Sequence, residues 1–385
     1  MDRQVRDRHA RLAADVGRSE DEVLSLTKLD ELRAEIDLVD EQILALLERR
    51  AATVERVAEA KREAGVSSYY DPERERAVLD RLAAKGAGHF PREAIRSVYR
   101  EIMSGCLSLQ TPVTIAFLGP EGTFSHMAAR HLFGFTARYR EATSIHGVFD
   151  TVGRGDALCG VVPVENSTEG SIANTLDALV DSDLLIRQEL ILEAAHCLLS
   201  RAERLASIER VYAHPQALAQ CQLWLAQNLS GAQLVQTGST SAAAREAVAD
   251  ERAAAIGSRL AAELGGLRIV GERIQDQPET STRFVAVARN DAPRTGEDKT
   301  TIAFSLLDAG ARGALKRVLE IFDEHGINLS RIESRPKGTK PWEYVFLVDV
   351  EGHRQDPPLA ALIDQLGKYC ELVKVLGSYP RFVQK

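Results

Sequence analysis

Four short segments place hydroxyls, amides and an acid where strand-like runs end. They are Gly119-Pro120-Glu121-Gly122-Thr123-Phe124-Ser125, Val162-Pro163-Val164-Glu165-Asn166-Ser167, His214-Pro215-Gln216 and Thr280-Ser281-Thr282-Arg283-Phe284. Each of the first three follows an apolar run and opens a helix-like run. In an open α/β domain such strand ends converge on one crevice, where ligands bind. A threonine there can donate a hydrogen bond or a proton into a water-poor cleft. Alone, Thr282 reads as a half-buried strand residue ahead of Phe284, Val285 and Val287; the four segments together favour a site. Helix N-termini after Thr123, Ser167, His214 and Ser239-Thr240-Ser241 would aim N–H groups at the same cleft, which favours carboxylates. His196 and His214 are of the type used in acid–base work, although a lone histidine is more often structural. His126, His131 and His146 read as packing or surface residues.

A second set lies near the N-terminus. Arg50 and Lys61 are eleven residues apart, about three helical turns, so they share a face. Spacing alone leaves a solvated charged face and a ligand clamp equally open. Arg33 lies seventeen residues before Arg50, roughly 25 Å along a helix. It cannot serve the same small ligand from the same helix, but it could serve the site of a second chain if two such helices packed antiparallel. Cys106 and Gln110 are one turn apart on a later helix.

The elements that must hold these residues are legible in outline. The chain has 385 residues and a net charge of −8, which suggests two to four domains and argues against nucleic acid as a partner. Five scattered cysteines form no Cys-x-x-Cys pair, so neither a zinc site nor a disulfide framework is implied, and a reducing cytoplasm fits. No run is apolar enough to span a membrane, and residues 1–27 form an extension without a signal-peptide core. Residues 28–64 contain neither glycine nor proline. Leu29, Leu32, Ile36, Val39, Ile43 and Leu46 recur at helical steps, predicting a helix roughly 55 Å long that needs bundle partners. Gly65 should stop it, Asp71-Pro72 should restart the chain, and a third helix is expected from Pro91.

After Thr111-Pro112, strand and helix signals alternate. They predict a two-lobed α/β body of the periplasmic-binding-protein kind over 113–289, with strands Leu267–Gly271 and Arg283–Ala288 both returning to the first lobe. Asn290–Lys299 reads as a polar linker. Residues 299–380 then read βαββαβ, a ferredoxin-like α+β pattern. No Gly-x-Gly-x-x-Gly or Walker sequence indicates a nucleotide.

Leu32-Arg33, Asp40, Arg50, Ala60-Lys61, Asp71-Pro72-Glu73-Arg74-Glu75 and Gln110 resemble the all-helical chorismate mutases over 28–110. The resemblance implies an intertwined dimer with each site built from both chains. Arg33 of one chain and Arg50 of the other would clamp carboxylates of chorismate. Lys61 and Gln110 would donate to the ether oxygen, while Asp71 and Glu75, with Arg74 alongside, would hold the ring hydroxyl. Positioning and charge stabilisation suffice for that rearrangement. Cys106 departs from the serine of the family pattern.

The segments 119–125, 162–170, 196–199, 214–216 and 282–284, in this order, resemble prephenate dehydratases. The implied reaction is loss of CO2 and water from prephenate. Thr282 would be the acid; Thr123, Ser125, Glu165, Asn166, Ser167, Thr168, His196, Gln220, Ser239, Arg283 and Phe284 would bind and desolvate the substrate. Ala213 departs from a serine in some relatives. Gly313-Ala314-Leu315 and Glu333-Ser334-Arg335-Pro336 resemble the phenylalanine-binding motifs of ACT domains, with Asn328 and Leu329 alongside. The resulting expectation is a bifunctional, cytoplasmic enzyme, homodimeric or larger, inhibited by phenylalanine and needing no metal or organic cofactor. The alternatives are a monofunctional dehydratase with a dimerising helical domain, and a non-catalytic amino-acid or carboxylate sensor.

Overall fold

The computed structural model describes residues 20–65, 72–85, 88–110, 113–277, 279–337 and 343–382; Asp71 and residues 1–19 lie outside the described residues. The chain divides into two compact units. One holds the 44-residue helix Glu20–Glu63 together with Leu109 and Gln110. The helix starts eight residues before the expected Lys28 and stops at Gly65, whose φ of +69° suits glycine. Its apolar stripe is open to solvent: Leu32, Ile36, Val39, Ile43 and Leu46 are all about half exposed or more.

The other unit begins with helices Pro72–Lys85 and Arg92–Gln110, the latter up to Ser108. They are fastened to the α/β body. Ser104 Oγ donates to the Phe133 carbonyl at 2.8 Å, and Glu101 accepts from the Phe135 N–H at 2.8 Å. A groove of about 1040 Å³ lies along them, lined among others by Glu75, Arg76, Arg96, Arg100 and Phe382. Burial pushes the Glu75 carboxyl up to about 7, with Arg100 pulling it the other way.

The body has two lobes. In the first, β1 (Thr114–Leu118), β2 (Arg138–Ala142), β3 (Cys159–Asn166), β5 (Leu185–Glu193) and β11 (Ser281–Ala288) run in the order β2-β1-β3-β11-β5, with the short β4 (Gly170–Ser171) on β3. Helix Phe124–Phe133 covers one face of this sheet, and helices Ile145–Arg154 and Ala173–Asp181 cover the other. In the second lobe, β6 (Cys197–Ser200), β7 (Arg210–Ala213), β8 (Gln233–Gln236), β9 (Ala253–Gly257) and β10 (Arg268–Gly271) run β10-β6-β9-β7-β8. Only β11 returns to the first lobe. Contrary to expectation β10 stays in the second, paired antiparallel with β6. The helical run that His214-Pro215-Gln216 opens is broken at Cys221 into Pro215–Gln220 and Gln222–Asn228.

The C-terminal domain is the expected βαββαβ: β12 (Asp298–Leu306), helix Ala314–Glu324, β13 (Leu329–Pro336), β14 (Tyr344–Glu351), helix Pro357–Leu366 and β15 (Cys370–Pro380), ordered β13-β14-β12-β15. It is not strung on a loose linker. Ala292 is 3 % exposed and donates its N–H to Ser378, and Asp291 pairs with Arg354 at 3.0 Å. Ala303, Val345, Leu347 and Tyr379 join Ile186, Val285 and Val287 in one buried apolar cluster, so lobe and domain share a core. The closest approach is at Gly377, φ +147°, where a Cβ would lie 2.6 Å from the Ile186 nitrogen and closer still to its carbonyl oxygen.

Gly377→Val is therefore expected to destabilise by at least about 2 kcal/mol and to expose residues 290–297 to proteolysis; unchanged melting would show that the close approach is unimportant. Glu75 gives a pH signature. Its folded value of about 7 exceeds its ordinary 4.5, so its contribution to stability is fully present below the unfolded value and is lost as pH rises through the folded one. Glu75→Gln should melt above wild type at pH 8, with the gap closing towards pH 5. A constant gap across that range would rule out a buried carboxyl there.

Candidate active site

The site is built on one rung of the β3–β11 ladder, where Asn166 pairs with Thr282. Asn166 Oδ1 accepts from the backbone N–H groups of Thr168 at 2.9 Å and Glu169 at 3.2 Å. Its amide nitrogen must then point away, and it donates to Thr282 Oγ1 at 2.9 Å. Because the threonine oxygen already accepts, its proton is left to donate, and it has no acceptor among the described residues. The Asn turn thus fixes which way the Thr282 hydroxyl is hydrogen-bonded.

From the second lobe, His196 Nε2 and Gln220 Oε1 are 2.8 Å apart. Gln220 donates its amide to Glu169 Oε1 at 3.3 Å, and Gln216 donates to the same oxygen at 2.6 Å. Gln220 can therefore offer His196 only its oxygen, which puts the imidazole proton on Nε2. Burial lowers the His196 pKa despite the Gln220 hydrogen bond, so the ring is neutral at neutral pH. A neutral imidazole with its proton committed is a poor acid. The ring of Phe124 stands edge-on to His196, centroids 5.3 Å apart.

The lobes also meet at Gly122, whose carbonyl accepts from Ser258 Oγ at 2.6 Å. A Cβ at Gly122 would sit 3.2 Å from Ser241 Oγ and 3.3 Å from Ala261, and its φ of +82° also favours glycine. Ser241 Oγ is buried and has no partner among the described residues.

Several expected site residues are occupied elsewhere. Thr123 and Ser239 spend their hydroxyls capping helices, accepting from the N–H groups of His126 and Ala242. Ser125 is buried at 7 % exposure. The helix that follows Ser167 opens only at Ala173; the Ser167 hydroxyl accepts from the Ser281 N–H at 3.0 Å and pins the loop to β11. Thr168 Oγ1 lies 3.5 Å from Thr280 Oγ1. Phe284 is core, 2 % exposed, because β11 turns it under helix Phe124–Phe133. Arg283 faces away from Thr282, into a buried cluster with Glu189, Asp349 and Tyr379. Glu165 likewise faces the C-terminal domain and meets Arg331. The sequence reading gave no role to Glu169, Ser241 or Phe124. Glu169 lay inside a quoted motif and was findable there; the other two depend on how the lobes meet.

On the long helix Arg33 pairs with Asp30 at 3.2 Å, and Arg50 and Lys61 are half-buried. Arg74 is exposed, Cys106 is buried, and Gln110 Oε1 is buried without a hydrogen-bond partner among the described residues. In the C-terminal domain Gly313, left-handed at φ 72°, is the N-cap of helix Ala314–Glu324. Leu315 and Leu329 pack on that domain's core, while Asn328 and Ser334 are exposed. Glu333 and Arg335 do not point into open space: Glu333 accepts from Ser171 Oγ at 2.9 Å, and Arg335 pairs with Asp177 at 3.0 Å. No helix among the described residues is long and apolar enough to cross a membrane.

Comparison with known proteins agrees with this geometry. Family models match in the order chorismate mutase type II over residues 32–111, prephenate dehydratase over 115–292 and ACT domain over 309–368. A bifunctional chorismate mutase/prephenate dehydratase of Aquifex aeolicus is 43 % identical over 360 residues, covering 92 % of this chain and 99 % of the relative. Among solved structures, a prephenate dehydratase from Arthrobacter aurescens in complex with L-Phe is 36 % identical with a TM-score of 0.64, covering 70 % of this chain and 90 % of that one. A prephenate dehydratase from Staphylococcus aureus is 27 % identical with a TM-score of 0.62, covering 69 % and 100 %. With three family models in order and a bifunctional relative matched along nearly its whole length, the chain belongs to the bifunctional chorismate mutase/prephenate dehydratase family.

Proposed function

We propose that the helices rearrange chorismate to prephenate, that the two lobes convert prephenate to phenylpyruvate, and that phenylalanine bound to the C-terminal domain lowers the second activity. The observation that carries the dehydratase reading is the Asn166–Thr282 rung, in which the Thr282 oxygen accepts and its proton is left to donate. As the carboxylate leaves as CO2, its bonding electrons move into the ring and the ring hydroxyl departs. Thr282 donates to that oxygen as it leaves as water, and aromatisation drives the step. His196, Gln220 and Glu169 close the lobes over the substrate and hold water out.

For the mutase, Arg50, Lys61, Arg74, Glu75 and Gln110 supply the polar groups, with Asp71 and the Arg33 of a second copy completing the site. The solvent-facing stripe from Leu32 to Leu46 supports this, because an apolar helix face of that length calls for a covering partner. We assign 28–110, 113–289 and 299–380 to mutase, dehydratase and regulatory domains; the family models, matching within or close to these spans, support the division.

One assay tests both activities. With chorismate alone, the wild type should yield phenylpyruvate. Thr282→Val should accumulate prephenate, with dehydratase turnover down at least about a hundredfold, whereas Lys61→Ala should leave chorismate unused yet process added prephenate. Both activities falling together in a folded variant would refute separate sites. Mixing inactive Arg33→Ala with inactive Lys61→Ala should restore mutase activity once subunits exchange, and failure to do so would refute a shared site. For regulation, phenylalanine should slow dehydration in the wild type, and Gly313→Val should abolish the effect, since φ 72° excludes a branched side chain. Undiminished inhibition of that variant would move the effector site elsewhere.

A further inference from the structure

Two neighbouring rungs of the β3–β11 ladder face opposite ways. Asn166/Thr282 is the rung of the site. Next to it, Glu165 pairs with Arg283, and both side chains run to the C-terminal domain. There the β13–β14 ladder offers Arg331 and Asp349, themselves a cross-strand pair. Arg331 Nε lies 3.1 Å from Glu165 Oε2, a charge contact whose N–H is not aligned as a hydrogen bond. Arg283 Nη1 donates to Asp349 Oδ2 at 2.5 Å. The four charges alternate in sign around a square, with one edge in each domain.

The square is braced. Arg331 Nη2 donates to Ser171 Oγ at 2.7 Å, and Ser171 pairs with Glu165 across β4. Asp349 also accepts from Thr301 Oγ1 at 2.6 Å, and Arg283 donates to Tyr379 at 2.8 Å. Each corner in the first lobe is joined by one peptide bond to a member of the Asn166/Thr282 rung. Displacing either corner tilts that rung, and misplacing an acid by a fraction of an ångström costs turnover rather than binding.

We infer that Arg331 and Asp349 are positioning residues for dehydration: acting from the regulatory domain, they hold the Glu165/Arg283 rung and so fix Asn166 and Thr282 beside it. This rests on Thr282 being the acid, as proposed above. It also gives the effector motif a route to the site, because Ser171, which Arg331 holds, is the donor to Glu333.

The test uses the full-length protein with prephenate and no phenylalanine. Arg331→Gln and Asp349→Asn should each lower kcat roughly threefold to thirtyfold with KM little changed, while the mutase rate of the same preparations stays at the wild-type level. In the cycle Glu165→Gln, Arg331→Gln and the double variant, the double should be no slower than the slower single. A wild-type kcat in folded Arg331→Gln, additive losses in the cycle, or a rise in KM alone would each overturn the inference. If Asp349→Asn does not fold, the Glu165/Arg331 cycle decides, since that pair is the more exposed of the two. Thr282→Val run alongside separates the failures. Full activity there removes the acid itself, whereas a dead Thr282→Val beside a fully active Arg331→Gln removes only the positioning role.

Discussion

The packing of this protein turns on a buried guanidinium. The Arg283 side chain is 11 % exposed, and it meets Glu189 at 0 % and Asp349 at 2 %. Burial works against its charge, but Tyr379, Asp349 and Glu189 more than compensate and raise its pKa. Burial likewise pushes the Asp349 carboxyl up, yet Arg283 and the Thr301 hydroxyl hold it below the usual range. Lys299 joins through Glu189 at 2.9 Å, so Glu189 receives one cation from β11 and one from β12. Removing one partner of such a pair leaves the others uncompensated, at a cost of about 3–5 kcal/mol. First lobe and C-terminal domain are thereby obliged to stay together.

That attachment is selective. Lys374 caps the carbonyl end of helix Ala173–Asp181, and Arg335 pairs with Asp177 on the same helix. These ties, with Gly377 against Ile186, all reach the first lobe. The second lobe is held instead by the site's own contacts, Gly122 with Ser258 and Glu169 with Gln216 and Gln220. The C-terminal domain is thus fastened to one lobe of the body, and the lobes are fastened to each other at the candidate site.

Much of this was legible in the sequence, and the failures have physical causes. Motif order located the Asn166/Thr282 rung, because residues at strand ends keep their position whatever the neighbouring loops do. The βαββαβ domain was legible from period and turn residues. Strand β2 was not: Arg138–Ala142 is mostly exposed at the sheet edge and carries no apolar alternation. Strand β10 was assigned to the wrong lobe because a sequence shows where a strand begins but not its partner. Residues 290–299 looked like a linker by composition, and the burial of Ala292 with the ties of Asp291 and Ala292 to the C-terminal domain shows otherwise. Arg283 and Glu165 were read with their motif neighbours. Strand alternation turns them to the opposite face, a rule available beforehand but outweighed by their proximity to Thr282.

The shared core bears on how such proteins can be modified. A domain that contributes Ala303, Val345, Leu347 and Tyr379 to its neighbour's interior is not an exchangeable module. Cutting it away uncovers apolar surface, takes Asp349 from Arg283 and takes Lys299 from Glu189. Grafting a sensor for another metabolite onto the first lobe would have to reproduce the glycine at 377 and the charge order of the square. Feedback resistance is then more safely sought by single substitutions at the proposed effector motif than by truncation, and chimeras between relatives should be joined outside this interface.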